Sequence, residues 1–319
     1  MSEAHTLTQD LRWCLNTPSL LSATELVFEQ GHALIESPDL PYSRPVNSPS
    51  FASLLKSRTC QGRVGLYYEQ LWAALLEEAR HEHPVLRNAQ VFQNRQTLGA
   101  LDLVSCHNGH LIHRELAAKF YLATQRGSRL EEWIGPNAGD CLADKINHLI
   151  HHQLPLFYHP HTEAVLATWL SAQQLDFPGN WVRESRVLMQ GYLFRHALAG
   201  DALTPHPLVN VSQIKGIWCH AHELRTCMSR YQAIGGRIIP RMNWLSGEPA
   251  TNESPTDPLS LAQQVRDHFR LPGAGGLMIR LFRKTNAGIE QINERLMLVS
   301  DHWPLRSSAQ LEESQPGPT

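Results

Sequence analysis

An α/β fold, a sheet covered by helices, is what this chain predicts, and three observations predict it. Apolar residues recur at helical spacing over residues 65–79; two alternating runs flank an Asn108-Gly109 dipeptide; and further helical and strand-like segments follow in mixed order. Composition agrees. With 319 residues and 42% hydrophobic content, the chain can bury one large core or two moderate ones.

The elements follow in order. A short helix is expected over residues 7–15, then Pro-rich connections through Pro41, Pro45 and Pro49 that read as an N-terminal arm over residues 1–60. Tyr68, Leu71, Trp72, Leu75, Leu76 and Ala79 form the stripe of an amphipathic helix, with Glu69 at its edge. A strand over residues 90–93 leads into the hairpin. Beyond the Gly135-Pro136-Asn137 break, Asp140 is a plausible N-cap for a helix over 140–154, and a second helix covers 161–173. Strand-like runs lie at 187–194, 211–219, 236–239, 277–282 and 296–299. Residues 246–258 read as a loop, and 307–319 as a disordered tail.

Asn-Gly favours a two-residue type I′ turn, which fixes the register of the hairpin. His107 then faces His110, Cys106 faces Leu111, Val104 faces His113, and Asp102 faces Glu115. Two carboxylates facing each other across a ladder lie roughly 5 Å apart and repel unless a cation sits between them. A divalent ion with oxygen ligands, Mg²⁺ or Mn²⁺, meets that need. The bland alternative is a solvated polar face, or one carboxyl held protonated. Asp is disfavoured inside strands, so Asp102 calls for a reason.

Charge and cysteine usage bound the partners. The net charge of −2 announces no polyanion partner by itself, but residues 181–245 carry eight basic against three acidic side chains. Arg183, Arg186, Arg195 and Lys215 are among them, interleaved with Trp181, Tyr192, Trp218, Tyr231 and Trp244, the mixture that contacts phosphates and stacks bases. It also occurs on ordinary solvated faces. The six cysteines show no paired metal-binding spacing, and the N-terminus has no basic segment followed by an apolar one. The expectation is a cytoplasmic protein with structural thiols and no membrane contact. Oligomeric state is left open by composition.

Gly99-Ala-Leu-Asp102 followed by Glu115-Leu-Ala-Ala-Lys119, after a glutamate-bearing helix, resembles the PD-(D/E)XK nuclease superfamily over residues 61–195. More closely, the chain resembles an uncharacterised bacterial family of unknown function grouped with that superfamily. The stretches that carry this are Gly65-Leu-Tyr-Tyr-Glu69, residues 115–122, Gly135-Pro-Asn-Ala-Gly-Asp140 and Pro240-Arg-Met-Asn-Trp-Leu245. The resemblance implies a nuclease-like core over 61–200, a mixed central sheet flanked by helices, with a C-terminal α+β extension over 201–306. It makes Asp102, Glu115 and Glu69 metal ligands; with a metal held by the facing carboxylates, His152 and Gln153 at the end of the following helix are expected to contact the scissile strand, and Arg183, Arg186 and Lys215 of the basic block to contact nucleic acid. The superfamily's lysine is missing: its position holds Ala117. Lys119 lies on the same face as Glu115 but ~13 Å along the strand, and Lys145 on the next helix is the other candidate. The implied activity is Mg²⁺-dependent phosphodiester hydrolysis. If the lysine function is lost, the implied protein binds nucleic acid or a protein partner without catalysis.

A third constellation is His220 and His222, on one side of a strand, with Cys219 or Glu223 as a candidate zinc set. Without a second matched pair, such histidines read more readily as hydrogen-bonded surface residues. The run Gly273-Ala-Gly-Gly276 lacks the lysine and hydroxyl residues of a phosphate-binding loop, and no Gly-x-Ser-x-Gly elbow is present.

Overall fold

In the computed structural model, residues 3–36, 54, 63–79, 84–107, 109–175, 181–200, 202–247 and 254–304 are described. They form a mixed α/β protein with a large mixed sheet. The chain folds as two compact units, one of residues 1–118 and 146–191, the other of residues 119–145 and 192–319. The Pro-rich connections, Asn108, Cys60 and the tail at 307–319 lie outside the described residues.

In the first unit, α1 (Glu3–Asn16) is followed by the hairpin β1 (Glu25–Phe28) and β2 (Gly31–Ile35). Helix α2 (Val64–Ala79) buries the stripe expected of it: Tyr68, Leu71, Trp72, Leu75 and Leu76 are each at most 2% exposed. Strands β3 (Val85–Gln93), β4 (Gln96–His107) and the start of β5 (His110–Ala123) form an antiparallel set. The β3–β4 turn is Asn94-Arg95, both with positive φ (49° and 70°), as a type I′ turn requires. It was not expected from the sequence, because Arg is a poor left-handed residue.

Helix α3 starts as an α-helix at Leu142–His148, widens into a π-turn over Leu149–Gln153, and closes at Leu154–Leu156. Pro155 has no N–H to return to the carbonyl one turn earlier, a common reason for such a turn to widen. Asp140 is not the cap of this helix: its carboxylate is taken by Lys119 and Tyr121, while the Sγ of Cys141 accepts the N–H of Asp144. Helix α4 (Pro160–Ala172) has Pro160 in its first turn and His159 as cap. Leu156, Phe157, Leu166 and Leu170 pack on Ala89, Val91, Leu101, Val104, Cys106 and Leu111 of the sheet.

A buried amide joins three elements of this unit. Gln190, on β7 (Val182–His196), accepts through Oε1 from Tyr68 Oη at 2.7 Å and Trp72 Nε1 at 3.2 Å. Its Nε2 donates to the carbonyls of Cys14, at 2.8 Å, and Thr17. Strand β2 pairs in parallel with β7, and Glu36, just past it, meets the guanidinium of Arg114.

In the second unit, the end of β5 pairs with β6 (Trp133–Ile134). The end of β7 runs parallel to β8 (Ile214–His220), and β8 runs parallel to β11 (Gly288–Val299). Strand β10 (Leu277–Thr285) joins β11 to β9 (Ala233–Ile239), antiparallel to both. Helices α5 (Leu224–Arg230) and α6 (Pro258–Phe269) cover one face, where Leu224, Met228, Leu261 and Val265 meet Ile217, Ile279, Leu281, Leu296 and Leu298. The Pro240–Leu245 stretch is anchored rather than presented: Arg295 Nη1 donates to the carbonyls of Trp244 and Leu245, and Tyr192 Oη donates to that of Leu245.

Candidate functional site

The β4–β5 register is the one expected, from His107↔His110 through Val104↔His113 to Leu103↔Arg114. There the backbone pairing stops. Asp102 Oδ2 instead accepts the N–H of Leu116 at 2.9 Å, so a side chain stands in for the next ladder acceptor. This is the reason the strand tolerates an aspartate. Asp102 also lines a cavity of about 330 Å³ with Glu69, Gln70 and Ala73 of α2 and with Arg87 and Asn88 of β3. Glu69 and Asp102, both half-buried, thus share one cavity.

Glu115 is 1% exposed and held at both oxygens. His113 Nε2 lies 3.0 Å from Oε1, and Gln153 Nε2, from the π-turn of α3, donates to Oε2. An ionised carboxylate only accepts, so His113 carries its proton on Nε2 and Gln153 turns its amide nitrogen inward. The Gln153 Oε1 then faces His148 Nδ1 at 3.1 Å, which donates to it. A hydrogen-bonded chain therefore runs from exposed His148 through Gln153 and Glu115 to buried His113. Burial lowers the His113 pKa to about 4, against the pull of the Asp102 charge, with the Arg114 guanidinium lowering it further. Its Nδ1 is buried and finds no hydrogen-bond partner among the described residues, and its ring packs against that of Phe157 with centroids 5.0 Å apart.

The remaining expected residues sit as follows. Lys119, in the second unit, places its ammonium 2.5 Å from Asp140 Oδ2. Lys145 is half-buried in the first turn of α3. Arg183 donates to the Phe157 carbonyl and to Glu163, both at 3.1 Å, and Arg186 pairs with Glu184 and Glu36. Both guanidiniums are thus spent on protein carboxylates. Exposed His152 lines a cleft of about 330 Å³ with His151 and His159, and Lys215 is exposed on β8. Among the described residues, no three or more His, Cys, Asp or Glu side chains gather into a group able to hold a metal ion. The three carboxylates divide accordingly: Glu69 and Asp102 line the cavity, and Glu115 is bound by His113 and Gln153.

The zinc alternative finds each of its members occupied. His220 Nδ1 faces the Ser300 carbonyl, His222 Nδ1 faces Asp301 Oδ1, and Glu223 takes His196 and the His220 N–H. Cys219 is buried in the core beside Cys227. All five described cysteines are free thiols, and burial pushes the Cys106 thiol up to about 12.

Sequence reading missed His113, Arg114 and the His148–Gln153 link. Arg114, 1% exposed, makes a bidentate pair with Glu36 at 2.8 and 3.1 Å and also donates to Ser105 Oγ. The His113-x-Glu115 spacing on one strand face was a usable signal, since alternate residues share a face. Glu36 carried none.

A family model described as a domain of unknown function, DUF1853, matches residues 9–299. The chain belongs to the DUF1853 family. Neither a curated protein nor a solved structure matches this DUF1853 chain. Among its described residues, no helix is long and apolar enough to cross a membrane.

Proposed function

We propose that this DUF1853 protein hydrolyses phosphodiester bonds in nucleic acid with a divalent cation, Mg²⁺ or Mn²⁺, held by Glu69 and Asp102. The observation that carries this reading is the convergence of those two carboxylates, from α2 and β4, on one cavity. Two carboxylates suffice for Mg²⁺, which keeps several of its waters and takes only hard oxygen ligands. A cation bound there would lower the pKa of a coordinated water and offset charge developing on the phosphate.

The chain's own residues supply position and charge. Leu116 N–H holds the Asp102 carboxylate through Oδ2, and Asp102 is one of the residues lining the cavity. His113 and Gln153 hold the Glu115 carboxylate from both sides and fix its orientation. Gln153 is a positioning residue, acting through Glu115. Lys119, engaged by Asp140, has no part in this reading.

That same ion pair, with Ala117 in place of the superfamily's lysine, favours a second reading: a catalytically silent member that binds nucleic acid or a protein partner. Calorimetric titration of Mn²⁺ into the wild type, Glu69→Gln and Asp102→Asn tests the metal site. Binding by the wild type and its loss in both variants supports the first reading. A wild type that retains nucleic acid on a filter without binding metal supports the second.

A further inference from the structure

The second unit carries a cleft of about 370 Å³ between α5 and α6, and its charge is unlike that of the Glu69–Asp102 cavity. Arg225 of α5, and Arg266 and Arg270 at the end of α6, line it together with His222, Phe269 and Asp301. Its negative charges are accounted for. Asp301 Oδ1 accepts both the backbone N–H and the ring Nδ1 of His222, each at 2.9 Å. Asp267 is 3.2 Å from Arg270 Nη1 and also receives the Gln263 amide. Among the described residues, Arg266 meets a neutral partner, the side-chain Oε1 of Gln263 at 2.6 Å.

Helix stability explains two of the three arginines. Arg266 and Arg270 are one turn apart at the C-terminal end of α6, where the helix dipole favours cations. Arg225 has no such account: it is exposed on α5, five residues short of that helix's C-terminal end. Its position makes sense if an anion completes the cluster. A guanidinium matches the forked geometry of phosphate oxygens, three of them from two helices line this cleft, and the half-buried Phe269 ring gives it an apolar wall. The volume is that of small-ligand sites, which run from roughly 300 Å³ upward.

We propose that this cleft binds the terminal phosphate of a nucleotide-sized phosphomonoester, with Arg225, Arg266 and Arg270 on the phosphate and Phe269 against the body of the ligand. The same chemistry is offered by a free nucleotide and by the phosphorylated end of a nucleic-acid strand. The proposal does not rest on the metal reading, because none of these residues lines the Glu69–Asp102 cavity.

The test is calorimetric titration of the full chain, without added metal, with AMP, adenosine, and a tetranucleotide with and without a 5′-phosphate. Arg225→Ala and Arg266→Ala are compared with Lys284→Ala, a change on β10 away from the cleft lining. Binding of AMP or the phosphorylated tetranucleotide but not of their unphosphorylated forms is expected, weakened by about tenfold or more in both arginine variants and unchanged in Lys284→Ala. Tighter binding of the tetranucleotide than of AMP assigns the site to a strand end, and the reverse order to a free nucleotide. Absence of binding by every phosphorylated probe overturns the proposal. So does equal weakening by Lys284→Ala, or full affinity in both arginine variants with circular dichroism showing them folded.

Discussion

Asp102 Oδ2 accepts the backbone N–H of Leu116 at 2.9 Å, at the point where hydrogen-bond pairing between β4 and β5 ends. One carboxylate therefore closes the ladder and lines the cavity shared with Glu69. The two roles separate by mutation. Asp102→Asn keeps an oxygen acceptor for Leu116 and should cost little stability, whereas Asp102→Ala leaves the N–H without its acceptor and should cost about 1–3 kcal/mol. Urea unfolding of the three proteins reads the difference, and equal midpoints for the two variants would show that the bond has no structural weight.

Arg114 and Glu36 supply a second prediction. A guanidinium that is 1% exposed depends on its bidentate carboxylate, so Glu36→Ala should destabilise by about 3 kcal/mol or more. Arg186, which also touches Glu36, keeps Glu184 and is less exposed to the loss. The double variant Glu36→Leu with Arg114→Met should recover part of the cost, because no charge is then left buried alone. A double-mutant cycle by chemical denaturation with no coupling between the sites would contradict this.

Acid should unfold the protein in a range set by His113. Its pKa falls from 6.5 in an exposed histidine to about 4 in the fold, so the unfolded chain binds the extra proton between those values. The contribution is fully present above pH 6.5 and is lost as the pH falls toward 4. Its size is on the order of 3 kcal/mol. His196, lowered by burial despite Glu223, acts in the same direction. His113→Gln keeps a donor for Glu115 but has no titration, and its melting temperature should fall less steeply from pH 6.5 to 4. Parallel profiles for the two proteins would count against it.

Gly216 on β8 has no room for a methyl group. A Cβ there would sit 2.2 Å from the Phe194 ring and 3.1 Å from the Arg295 carbonyl oxygen. Gly216→Ala should lower stability by about 1–3 kcal/mol through overpacking. Thermal unfolding measures it, and a variant as stable as the wild type would mean that Phe194 moves freely.

Local pattern carried much of this fold and little of its wiring. The stripe of α2, the His107–His110 register and the helix after the Gly135 break follow from apolar spacing and turn chemistry, which act over a few residues. Helix α6 was legible but missed: Asp257 and Pro258, read as the end of a loop, are its cap and first residue, with Leu261 and Val265 one turn apart behind them. Strands β1 and β2 have weak alternation, and β2 is placed by its parallel pairing with Ser185, Arg186 and Val187, far along the chain. The backbone pairing at Asp102 departs from the expected ladder for a related reason. An ideal ladder predicts that Asp102 faces Glu115, while the observed backbone breaks step there, with Asn88 of the neighbouring strand at φ 45°. Partners such as Glu36 and Gln153 come from distant segments and leave no periodic trace.

Cleavage of end-labelled DNA and RNA by the wild type and Asp102→Asn, in Mg²⁺, in Mn²⁺ and in EDTA, decides whether the Glu69–Asp102 cavity supports metal-dependent hydrolysis. Metal-dependent cutting by the wild type is expected, abolished by EDTA and by Asp102→Asn while the variant keeps its fold. Cutting that survives in Asp102→Asn, or a folded wild type that leaves every substrate intact in both metals, would contradict it.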